Sequence, residues 1–103
     1  MSHIQPRRKF LCVILREEDS VSPGAETRYT TMFPDFPECL TSGDTPEEAI
    51  KNGKKRLQAH IYGMLQQGDP IPRPILAFER VAKFTQNRDD IERVISIDAK
   101  IIR

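Results

Sequence analysis

The 103-residue sequence has almost no excess of either charge. Its 16 basic and 15 acidic side chains leave a formal net charge of +1. It therefore lacks the overall basic surplus from which a dedicated nucleic-acid binder draws most of its affinity. Any contact with phosphates has to come from a local patch. Cysteine is scarce as well: Cys12 and Cys39 stand far apart, outside any ligand-spaced pair. That pattern argues against a disulfide framework or a zinc motif. Both have apolar neighbours, the setting in which a free cysteine packs as a small hydrophobe. No segment approaches the roughly 20 apolar residues of a membrane span. Residues 1–9 are polar and no secretory apolar run follows them. There is no internal repeat and no glycine-rich phosphate loop. The expectation is a soluble, cytoplasmic protein with no cofactor. A chain of this length buries roughly two-thirds of the surface it exposes unfolded, which suffices for a single domain over residues 1–103.

Residues 1–8 are polar and expected to be a flexible N-terminus. Residues 9–16 (KFLCVILR) form a dense apolar run of strand length, covered on both faces or nearly so. Residues 17–25 contain Pro-Gly and read as a loop. Residues 26–33 (ETRYTTMF), rich in Thr and aromatics, read as a second strand, antiparallel to the first. Residues 34–38 (PDFPE) should break that strand, because each proline removes a donor and fixes φ. Residues 39–43 return briefly to extended structure.

The clearest local signal follows. Thr45-Pro46-Glu47-Glu48 fits a capping box, with Thr45 at N-cap, Pro46 at N1 and Glu48 at N3. Ile50, Gly53, Leu57, Ile61, Met64 and Leu65 make one apolar stripe. Gly68 and Pro70 supply the stop. The spacing predicts a helix over 46–67. Lys51, Lys54, Lys55 and Arg56 lie mostly on other faces, partly paired with Glu47 and Glu48. Residues 75–83 read as either a short helix or an irregular covering segment. Residues 93–102 alternate, with Ile95, Ile97, Ala99 and Ile101 on the buried side. The order β-β-β-α-β implies an α+β fold: a small, mostly antiparallel sheet of three or four strands with one long helix on one face.

Catalytic chemistry finds little support. His3 lies in the polar N-terminus, and His60 flanks the helix stripe. Neither has a Cys or Ser near it in a recognisable nucleophile setting. A magnesium nuclease could be built from Asp35, Asp44 and Glu48, since such sites need converging carboxylates. However, Glu47, Glu48 and Asp44 already have a role at the helix start. No catalytic residue and no metal ligand is therefore assigned. The basic run Arg7-Arg8-Lys9 has no interleaved aromatics to stack bases. What stands out is Phe33-Pro34-Asp35-Phe36-Pro37, a rigid segment on which an exposed phenylalanine would mark a protein contact.

Tyr29–Phe33, Pro34-Asp35-Phe36-Pro37-Glu38-Cys39, Thr41-Ser42-Gly43-Asp44-Thr45, Glu47-Glu48-Ala49 and Ile71-Pro72-Arg73-Pro74 occur in the order and spacing of the HicB-type antitoxin domain, which the chain resembles. The resemblance implies a partial ribonuclease-H-like fold without the catalytic acids. It implies binding to a small HicA-type toxin, an mRNA-cleaving ribonuclease, and blockage of its active site. It also implies a homodimer or higher homo-oligomer. Two positions depart from the pattern: Glu38 stands where Gly is usual, and Phe36 where Leu is usual. Many relatives carry a C-terminal DNA-binding domain. This sequence ends at Arg103, so no such domain and no direct DNA binding are expected. The expected partner-binding residues are Phe33, Asp35, Phe36, Pro37, Glu38 and Cys39. The alternative is an orphan homo-oligomer of the same fold without a toxin.

Overall fold

The computed structural model of the protein describes residues 7–17, 27–73, 82, 86 and 88–101. Its elements are β1 (Arg7–Glu17), β2 (Arg28–Phe33), β3 (Phe36–Gly43), α1 (Pro46–Gln67) and β4 (Ile91–Lys100). The strands form one antiparallel sheet in the order β3-β2-β1-β4. α1 packs on one face of it. This is the α+β architecture expected, with four strands.

β1 is the centre of the sheet because its sequence can be buried on both sides. Phe10, Cys12 and Ile14 join the core beneath α1. Val13 and Leu15 alternate to the opposite face and are buried too. A half-buried strand would carry polar residues at those positions. β1 also starts earlier than its apolar run suggests. Arg7 and Arg8, expected in a frayed terminus, pair with Lys100 and Ala99 of β4. A register shift between Ile14 and Leu15 marks a bulge at the other end of that ladder. β4 spans Ile91–Lys100, two residues earlier at each end than expected. Its alternation holds, with Ile97 and Ala99 buried and Ser96, Asp98 and Lys100 exposed.

α1 begins and ends where its caps dictate. The Thr45 hydroxyl accepts the Glu48 N–H at 3.1 Å, and Pro46 occupies the first turn, where its missing donor costs nothing. At the far end Gly68 adopts φ 77°. Its N–H donates to the Leu65 carbonyl, and the Asp69 N–H to that of Met64. This doubly bonded stop needs the left-handed conformation that glycine adopts cheaply. Ala49, Gly53, Leu57, Ile61 and Leu65, each four residues from the last, are the buried stripe. Ile50 and Met64 flank it.

Gly53 is where the helix rests most closely on the sheet. A Cβ there would stand 2.9 Å from Oγ1 of Thr31 on β2. Thr31 is fully buried, and its hydroxyl is satisfied by the Thr41 hydroxyl on β3. Two side-chain amides tie the helix down further. Asn52 donates to the Ser42 carbonyl at 2.9 Å. Gln58 takes both backbone groups of Lys100, accepting its N–H at 2.9 Å and donating to its carbonyl at 2.8 Å. Glu47, expected to pair along its own helix, instead reaches Arg93 on β4 at 3.0 Å. Residues 75–83 lie outside the described residues except for Ala82.

Candidate functional site

The segment from Phe33 to Cys39 differs in one respect from its expected form. The break in the chain is only two residues long. Phe33 pairs directly with Phe36, leaving Pro34 and Asp35 as the turn. Phe36, Pro37 and Glu38 belong to β3 and do not interrupt it. The physical reason is the strand order. β3 is an edge strand, where a proline can turn its donor-less nitrogen away from the ladder.

Both phenylalanines point inward. Phe33 and Phe36 are each 1% exposed, so neither offers a ring to a partner. The Phe36 ring meets Phe10 edge-on at 5.0 Å between centroids and His60 at 5.5 Å. Burying a ring of this size is worth about 1.5–3 kcal/mol, and edge-to-face pairs add about 0.5–1.5. This side chain therefore locks the start of β3 in place. Cys39 is buried as well. Burial pushes its thiol up, the Glu38 carboxylate adds to the rise, and Arg56 opposes it. Cys12 is pushed up to about 12 by burial. Neither cysteine is an activated nucleophile.

Pro34 and Asp35 are half-buried, while Pro37 and Glu38 are exposed. The Glu38 carboxylate sits 2.7 Å from Nε2 of His60 on α1. The two lie at one wall of an open groove of about 420 Å³ between β3 and the second half of α1. Arg56, Ala59, Gly63, Met64, Gln67 and Asp69 complete its lining. Glu38 replaces the glycine of the resembled pattern, yet it sits in extended backbone, where a side chain costs nothing. Its replacement therefore adds a carboxylate to the groove and leaves the strand intact.

The structure thus splits the six predicted partner-binding residues. Phe33, Phe36 and Cys39 are core, and Asp35, Pro37 and Glu38 reach the surface. The groove residues His60 and Arg56 were not predicted for this site. Their four-residue spacing on α1 puts them on one helix face, but only the tertiary fold brings that face to Glu38. The alternative carboxylate trio does not assemble. Asp35 and Asp44 lie beyond opposite ends of β3, a strand roughly 24 Å long. Among the described residues no group of three or more His, Cys, Asp or Glu side chains is placed to hold a metal ion. Among them, too, no helix is long and apolar enough to cross a membrane.

Comparison with known proteins adds three findings. A family model described as the HicB_like antitoxin of bacterial toxin-antitoxin system matches residues 19–103. The chain is 35% identical over 72 residues to an uncharacterized 14.9 kDa protein of the rep-hol intergenic region of Haemophilus phage HP1, covering 68% of this chain and 52% of that protein. It is 34% identical over 77 residues to antitoxin HicB 2 of Photorhabdus laumondii, covering 75% and 49%. The chain spans about half the length of the curated relatives it matches. Its fold is similar to the crystallised N-terminal domain of Burkholderia pseudomallei antitoxin HicB, with a TM-score of 0.62 and 18% identity over 86% of this chain and 94% of that one. It is also similar to a chain of a toxin-antitoxin complex from Streptococcus pneumoniae, with a TM-score of 0.64 and 18% identity over 93% and 71%.

Proposed function

Because the chain belongs to the HicB-like antitoxin family, we propose that it acts by binding, not by catalysis, and neutralises a small HicA-type mRNA-cleaving toxin through direct contact. The observation that carries the reading is the exposed edge strand β3 with the groove beside it. Asp35, Pro37 and Glu38 form the contact surface. Phe33, Phe36 and Cys39 act from beneath, fixing the strand so that little order is lost on binding. An edge strand also offers unpaired backbone groups to a partner segment.

Glu38 is the natural anchor for a cationic group of the toxin, and His60 holds it in the groove. The test is calorimetric titration of this protein with a small HicA-type ribonuclease from the same genome. Binding that weakens about tenfold or more in Glu38→Arg, with thermal stability retained, supports the surface. Absence of binding by the unaltered protein refutes the toxin-binding reading itself. Full binding by Glu38→Arg and Pro37→Ala together moves the surface elsewhere.

A further inference from the structure

The basic run Arg7-Arg8-Lys9 plays no part in that surface. The fold places it at the opposite side of the sheet from β3, in the ladder with β4. Arg7 stands directly across from Lys100, and Lys9 across from Asp98. Gln58 occupies both backbone groups of Lys100. Those groups therefore point away from β1, and Arg7 and Lys100 form a non-hydrogen-bonded pair, the geometry in which facing side chains are closest. Two like charges placed so are mutually destabilising; the carboxylate on the same face, Asp98, stands across from Lys9 and leaves the patch of three cations with a net positive charge. Among the described residues, none of Arg7, Lys9 and Lys100 makes an ion pair.

The other end of the sheet shows the contrast. There Arg93 is bound to Glu47, and Arg88 to Asp90. On a chain with a net charge of +1, Arg7, Lys9 and Lys100 thus gather a net positive charge around the single carboxylate of Asp98. Arg8 turns to the helix side and donates to the Ile71 carbonyl at 3.1 Å, which leaves Arg7 and Lys9 on the opposite face. Arg7 and Lys9 lie about 6.8 Å apart along the strand, a step close to that between neighbouring phosphates of an extended polynucleotide. Lys100 stands alongside. All three side chains are exposed.

We propose that Arg7, Lys9 and Lys100 form a binding site for the phosphate backbone of a single-stranded polynucleotide, read by charge and spacing and not by sequence. A strand laid along β1 meets Arg7 and Lys9 on successive phosphates, and Lys100 reaches the same backbone from β4. The like-charged pair then becomes favourable, because a phosphate sits between its members.

The test is fluorescence anisotropy of labelled oligouridylate and oligothymidylate with the full chain. Binding at 50 mM salt should weaken about 20-fold by 200 mM, as expected for release of counterions from three phosphates of a single strand. The triple variant Arg7→Glu, Lys9→Glu, Lys100→Glu should lose at least about tenfold in affinity, and the Gln triple most of that, whereas Lys51→Glu should lose almost none. Preference between the two oligomers would tell RNA from DNA. No binding at low salt, binding unchanged in either triple variant, or equal displacement by polyglutamate would each overturn the proposal. A native circular-dichroism spectrum of the Gln triple keeps the test valid if the Glu triple does not fold.

Discussion

Gly53→Ala should destabilise the protein even though alanine is the better helix former. In an exposed helix the exchange gains about 1 kcal/mol. Here the new Cβ would stand 2.9 Å from Oγ1 of Thr31, and 3.3 Å from both its Cβ and its Cγ2. Thr31 cannot step aside. It is fully buried, β-branched and engaged with Thr41. Forcing in the methyl group costs about 1–3 kcal/mol by overpacking, and displacing the buried hydroxyl costs about 1–3 more. The net loss should be about 1–5 kcal/mol, at roughly 4–8 °C in Tm for each kcal/mol. Gly63 on the same helix provides the control, because nothing lies within 4 Å of a Cβ built there. Gly63→Ala should stabilise by about 0.5–1 kcal/mol. Thermal unfolding followed by circular dichroism reads both. Thr31→Ala should itself destabilise, yet Gly53→Ala made in that background should lose most of its penalty. Equal effects at the two glycines, or a penalty at Gly53 that survives Thr31→Ala, would refute the claim that the helix–sheet distance is set there.

Thr45→Ala should lower stability by about 1 kcal/mol in urea titration, since it removes the acceptor of the Glu48 N–H. Neither Cys12 nor Cys39 should react with a thiol reagent at pH 8 in the native protein, and both should react in urea, because both are buried. Cys12 also adds a pH dependence. Its folded pKa, at about 12, lies above the ordinary value of 9.0, so its contribution is complete below about pH 9 and is lost as pH climbs toward 12. Glu47 should titrate below its ordinary range in an NMR experiment. Its own backbone N–H at the helix start is the main cause and Arg93 the second, so Arg93→Met should restore only part of the shift. The contribution of Glu47 to stability is present above the ordinary carboxylate range and fades as pH falls through it.

Most of the helix was legible because its signals are local. Thr45, Pro46 and Gly68 act within one turn of themselves, and the bounds 46–67 follow from them. The strands were legible in kind but not in extent. Arg7 and Arg8 look like tail residues until β4 is known to run alongside them. Pro37 misled for a related reason. A proline forbids a central strand but not an edge strand, and strand order is not written in any single segment. The site was the least legible part. The burial of Phe36 depends on Phe10 and His60, which come from two other elements. The meeting of Glu38 with His60 spans β3 and α1, and no spacing in the sequence announces it.

The place of β1 at the centre of the sheet has a consequence for synthesis. Its most distant partner, β4, emerges from the ribosome some 75–90 residues later. At about 5–20 residues per second that delay is about 4–18 s. Throughout it the apolar run around Val13 has only β2 to pair with, and the flank that Arg93 to Lys100 will cover stays open to any other strand. A nascent chain in this condition is a natural client for a holding chaperone. Yield in a cell should then depend on how quickly the ribosome reaches Lys100, and codons that slow the stretch before β4 should send more of the product into aggregates.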